Sequence, residues 1–215
     1  SFGEGGLADH VIIGAPGVDL GGFFVGQGAL YRYSVDAAFN PTFVARFTGS
    51  SPGDSTGTSC SMVMSEGGSP PPVALFGVPF DDSEGADAGA VRAQNLGNNM
   101  AEPDLVPDSI VGNRLGRTVA LDGDTLAVGA PYDDDAGPNA GAVYVYVRSA
   151  GVWTQQAKLT VSLTQLLGGS VALEGDVLAI GTQNGSGNAV YVSRRTGSTW
   201  SAPSILPPSA STAGD

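Results

Sequence analysis

Arg117-Thr118-Val119-Ala120-Leu121-Asp122-Gly123-Asp124-Thr125-Leu126-Ala127-Val128-Gly129-Ala130-Pro131 reads as a strand, a tight turn and a second strand. Asp122-Gly123 between two apolar runs is a strong hairpin signal, because glycine supplies the positive φ that two-residue turns need. Leu126, Ala127 and Val128 are apolar in succession, so both faces of the second strand are expected to be covered. Gly129, which ends that strand, lets another backbone come close.

Working outward, the same phrase recurs. Val11–Ile13, Val73–Phe76 and Val177–Ile180 run into Gly14-Ala15-Pro16, Gly77-Val78-Pro79 and Gly181-Thr182. After a loop, each unit takes a second small-residue step: Gly28-Ala29-Leu30-Tyr31, Gly89-Ala90-Val91, Gly141-Ala142-Val143-Tyr144 and Asn188-Ala189-Val190-Tyr191. Tyr144 and Tyr146 alternate with valines, the period of a half-exposed third strand. Trp153 and Trp200 each open a fourth strand, and Phe39–Phe47 takes that place in the first unit. Repetition at about 50 residues with several short strands per unit is the mark of a β-propeller or a similar array. The predicted fold is all-β, a β-propeller of four blades, each a four-stranded antiparallel sheet with no long helix. One domain spans 1–210, with blades at about 1–50, 51–110, 111–163 and 164–210; 211–215 is a tail or linker.

Composition fits that reading. Gly 33 and Pro 14 in 215 residues, with 41% hydrophobic residues, suit many tight turns joined by short apolar strands. No apolar stretch approaches the roughly 18 residues that cross a bilayer, so no membrane insertion is expected. A net charge of −12, with Lys158 the only lysine, repels phosphate backbones and excludes nucleic acid as a natural partner. Cys60 is alone and cannot form an internal disulfide. One histidine and one cysteine supply no nucleophile–base constellation, so no enzyme is expected.

The chemically suggestive residues lie in the loops after the second strands. Asp133, Asp135 and Asn139 alternate around Gly137, and Asp81, Ser83 and Asp87 repeat the arrangement in the second unit. Such loops can aim oxygen ligands at a hard cation such as Ca²⁺. The plainer reading is that Asp, Asn and Gly are turn formers with solvated carboxylates. Asn184-Gly185-Ser186 fits the N-glycosylation pattern of a secreted glycoprotein. Trp153 and Trp200 could stack on sugar rings, though their matching places in two repeats suit packing better.

This pattern resembles the FG-GAP repeat family, best known from the integrin α-subunit propeller. Phe2-Gly3 with Gly14-Ala15-Pro16, and Leu115-Gly116 with Gly129-Ala130-Pro131, carry the resemblance. It implies an extracellular or cell-surface propeller used for adhesion or ligand binding; the family also includes lectins and accessory domains beside enzymes. The integrin-type calcium loop between Phe-Gly and Gly-Ala-Pro is here shortened to a hairpin, so that calcium site does not transfer. Relatives usually have seven blades, so four could close a ring or form an arc. The expected partners are a protein or glycan ligand, or copies of the chain itself in a structural assembly.

Overall fold

The computed structural model describes residues 9–19, 25–63, 72–98, 100–105, 111–162, 166–183 and 188–207. Phe2-Gly3 with the first strand of the first unit, part of the Pro-rich insertion, Asn184-Gly185-Ser186 and the tail lie outside these. The described chain is all-β. Its strands pair antiparallel with their sequence neighbours, except the last, which pairs with the strand two before it, to give four sheets in chain order.

The first sheet holds β1 (Asp9–Ala15), β2 (Ala29–Val35) and β3 (Pro41–Thr48). The second holds β4 (Cys60–Val63), β5 (Val73–Val78), β6 (Ala90–Asn95) and β7 (Ala101–Leu105). The third holds β8 (Thr118–Asp122), β9 (Thr125–Ala130), β10 (Ala142–Ser149) and β11 (Val152–Thr160). The fourth holds β12 (Leu167–Glu174), β13 (Val177–Thr182), β14 (Val190–Thr196), β15 (Thr199–Trp200) and β16 (Ser204–Leu206).

Two local expectations shift by a residue or a strand. The β8–β9 register pairs Asp122 with Thr125, so the turn is Gly123-Asp124 and Asp122 still belongs to the strand. Gly123 takes φ 53° at the first turn position, which is where the glycine is needed. In the fourth unit the expected last strand divides into β15 and β16 around Ala202-Pro203. Proline has no N–H to donate, so the ladder stops there.

The sheets stack through a repeated junction. Gly28 bridges Thr56, Gly89 bridges Leu115 and Gly141 bridges Leu167, each in parallel fashion. Across the same seams, a Cβ on Gly14, Gly77 or Gly129 would run into the carbonyl oxygen of Gly57, Gly116 or Gly168. These glycines are therefore where one sheet's second strand touches the next sheet's opening turn. Among the described residues the nearest neighbour of a Cβ on Gly181 is Ser170 of its own sheet.

Three apolar clusters fill the seams. Leu30, Ala74, Phe76 and Val78 lie between sheets one and two, with half-buried Cys60 against them. Leu75, Val91, Leu126, Val128, Tyr144 and Tyr146 lie between two and three. Val143, Val145, Leu178, Ile180, Tyr191 and Trp200 lie between three and four. β5 and β9 are buried along their whole length, as a strand with covered faces should be. β1 is not: its Val11 and Ile13 are exposed. Among the described residues the junction forms three times, and no equivalent seam joins sheet four to sheet one.

Candidate functional site

The two acidic loops follow β5 and β9 and are built alike. Asp81 and Asp133 stand at the loop starts, only 2% and 0% exposed. Each accepts the amide two residues on, Ser83 N at 2.9 Å and Asp135 N at 3.1 Å. That is the turn a short carboxylate makes with its own backbone. Asp82 and Asp134 then accept the amides of Asp87 (2.8 Å) and Asn139 (2.6 Å), closing each loop.

Asp87 and Asn139 serve the junction. They lie at φ 52° and 50°, and their carbonyls accept the amides of Arg114 and Leu166 in the next sheet, both at 3.1 Å. Gly26, at φ 68°, does the same for Ser55. Glycine, asparagine and aspartate tolerate the left-handed region best, so this backbone geometry explains the residue types at the position.

The buried carboxylates are neutralised from the strands. Lys158 on β11 lies 2.8 Å from Asp133 and 2.5 Å from Asp135. Asp133 also accepts the Asn113 side-chain amide and the Tyr144 hydroxyl, each at 2.8 Å. In the second sheet Arg92 on β6 meets Asp81 at 2.5 Å and Asp104 on β7 at 3.6 Å; the Ser83 hydroxyl also donates to Asp81. Cross-strand register places Arg92 where Tyr144 stands and Asp104 where Lys158 stands. The cation has changed strands while the acid has stayed.

Protonation follows this geometry. Burial pulls the Lys158 ammonium down, but its bonds to Asp133 and Asp135 outweigh that and hold it above the usual lysine value. Burial is the main cause that pushes the Tyr144 hydroxyl up to about 12, with the Asp133 carboxylate adding to it. Asp133 and Asp135 are thus brought together around a protein ammonium. Ser83 and Asp81 bond to each other, while Asp87 pairs with Arg114 at 3.3 Å. Among the described residues no group of three or more His, Cys, Asp or Glu is arranged to hold a metal.

Trp153 packs on the core between sheets two and three and Trp200 is buried between three and four. Arg148 and Arg195 lie over their rings, at 5.8 Å and 5.4 Å. Those ring faces are occupied by protein.

A cavity of about 540 Å³ opens where loops of all four units converge. Pro16 comes from the first unit, Ser55, Thr58 and Phe80 from the second, Arg114, Arg117 and Tyr132 from the third, Leu166 and Gln183 from the fourth. Ser55, Arg114 and Leu166 hold one structural position, at φ 54°, 53° and 52°, just before the glycine of each opening turn. Arg114 is clamped between aromatic faces, 4.8 Å from the Phe80 centroid and 4.4 Å from Tyr132. Stacking of this kind holds the guanidinium plane, and one of its donors reaches the Asp87 carboxylate at 3.3 Å. Arg117 has no ion pair among the described residues. Among the described lining residues there is no carboxylate, and two guanidiniums, Arg117 and the Asp87-paired Arg114, face one cavity in a chain of net charge −12. The sequence singled out neither arginine: no motif marks them, and only the repeat alignment of Arg114 with Ser55 and Leu166 could have shown their shared place.

Residues 107–146 match the family model of the FG-GAP repeat. That stretch contains the β8–β9 hairpin, the acidic loop with Asp133 and Asp135, and the start of β10. The third unit is thus similar to an FG-GAP repeat. No curated protein matches the chain.

Proposed function

We propose that this chain is a β-propeller-type interaction module. Its four sheets stand as blades around the cavity, and it recognises an extracellular or cell-surface partner by surface contact and without catalysis. The convergence of all four units on a cavity walled by Arg114 and Arg117 supports this reading. The repeat match supports it too, since FG-GAP repeats build such modules and are typically extracellular. A preformed concave site with a few placed polar groups is the usual form of a recognition surface.

The chemistry of the wall selects the ligand class. Arg114 is rigid and Arg117 is available, so the site favours a carboxylate over a cation, and hydroxyls of Ser55 and Thr58 stand beside them. The test is selection of binders from a random peptide library on the immobilised chain. Acidic peptides should emerge. Their affinity should fall about tenfold in Arg117→Gln, the loss expected for one charge-assisted bond, and should weaken as salt rises. Equal affinity for the variant, or selection of basic peptides, would refute the cavity as the recognition site.

A further inference from the structure

The wall of the cavity changes its chemistry from unit to unit at one repeated place. Two residues before the entry glycine stand Ser55, Arg114 and Leu166, in consecutive units. The residue after that glycine is Thr58 in the second unit and Arg117 in the third. Each turn closes on the same backbone bond: the amides of Thr58, Arg117 and Gly169 donate to the carbonyls of Ser55, Arg114 and Leu166, all at 3.2 Å. The wall therefore presents hydroxyls, then guanidiniums, then an apolar side chain.

The hydroxyls have committed their hydrogens. Ser55 Oγ donates to the Gly53 carbonyl at 3.3 Å, and Thr58 Oγ1 to the Ser55 carbonyl at 2.7 Å. A hydroxyl has a single hydrogen, so lone pairs are what both have left for a ligand. An N–H is accepted there, whereas the further oxygens of a phosphate or sulfate would meet lone pairs. The guanidiniums, by contrast, have only donors. Phe80 and Tyr132 hold the plane of Arg114, so the guanidinium offers its edge, the geometry that suits a planar carboxylate.

The last residue of a peptide carries a carboxylate, an amide N–H and a side chain on one carbon. An aspartate or glutamate side chain brings its carboxylate without an apolar group and would leave Leu166 unused. We infer that the cavity takes the C-terminal residue of a peptide, and that this residue is apolar. Its α-carboxylate meets Arg114 and Arg117, its amide N–H donates to Ser55 Oγ or Thr58 Oγ1, and its side chain lies against half-buried Leu166. This rests on the cavity being the recognition site and names what enters it.

Two libraries of random hexapeptides test it, alike in sequence and acetylated at the N-terminus, one ending in a free carboxylate and the other in a carboxamide. Binders should emerge as free acids ending in leucine, isoleucine, valine, methionine or phenylalanine. Each should lose about tenfold or more in affinity when remade as its amide, through the loss of charge-assisted bonds. Leu166→Ser gives the fourth unit the residue that the second already carries at φ 54°, so the fold should hold. It should weaken the same peptides about tenfold and widen the choice of last residue, while the preference for acid over amide stays. Amidated peptides with internal aspartate or glutamate that bind as tightly as the free acids would overturn the inference and leave the cavity as a carboxylate site. Free-acid binders indifferent to their last residue, or to Leu166→Ser, would overturn it too. Binding that ignores Arg117→Gln would instead remove the cavity reading itself, and no binder from either library would overturn both.

Discussion

Replacing Asp133 with alanine probes the claim that the acidic loop is built around a protein cation. The carboxylate is fully buried and bonds Lys158, Tyr144, Asn113 and the Asp135 amide. Removing one partner of a buried charge pair costs about 3–5 kcal/mol, because the remaining groups lose their bonds without regaining water. Lys158 is partly solvent-reachable and keeps Asp135, so the low end applies. A loss of about 3 kcal/mol in a domain of this size lowers the melting temperature by roughly 6–12 °C. Calorimetric melting measures it, with Asp133→Asn as a milder step that preserves volume. The same scans with and without calcium separate the two readings of the loop. If Asp133, Asp135 and Asn139 formed a cation site, millimolar Ca²⁺ would raise the melting point of the parent and not of the variant. A variant that melts within a degree of the parent, or a clear calcium shift in the parent alone, would refute the account of Lys158 as the counter-charge.

Gly129→Ala should lower stability by about 1–3 kcal/mol, since its Cβ meets the Gly168 carbonyl across the seam; urea denaturation measures it. Gly17→Ala, where a Cβ meets nothing within 4 Å, should be neutral or gain about 0.4–1 kcal/mol, and serves as the control. Alkaline stability should fall from about pH 10 upward. Lys158 and Tyr144 both hold their protons more tightly when folded, so their contribution is complete below the unfolded values and is lost as pH rises toward the folded ones. Melting followed by circular dichroism between about pH 8 and 12 should show that loss, reduced in Tyr144→Phe.

The architecture was legible because its signals are local. The Gly123 turn, the apolar runs Leu126–Val128 and Val177–Ile180, and the small-residue step at Gly141 each depend on neighbours a few residues away. Hence strands fall where the repeats put them, and the turn misplacement at Asp122 is a single residue. The site was less legible because its contacts cross strands and sheets. Lys158 reaches Asp133 only through the register that sets β11 beside β10, and the second unit moves the charge to Arg92. Asp87 and Asn139 looked like metal ligands because oxygen-bearing side chains and left-handed backbone favour the same residue types. The cavity arginines carry no local pattern at all, and their meaning comes from four units converging.

Each sheet is made from strands consecutive in the chain, and every seam among the described residues joins consecutive sheets. No strand must wait for a distant segment before it can pair, so loop-closure costs stay small and are met one unit at a time. During synthesis, the second sheet can settle on the first while the third is still being made. Stability in such an array sums over units and seams, so the two middle sheets, held on both sides, should open last, and the ends first. The molecule is thus graded in firmness from its middle sheets outward.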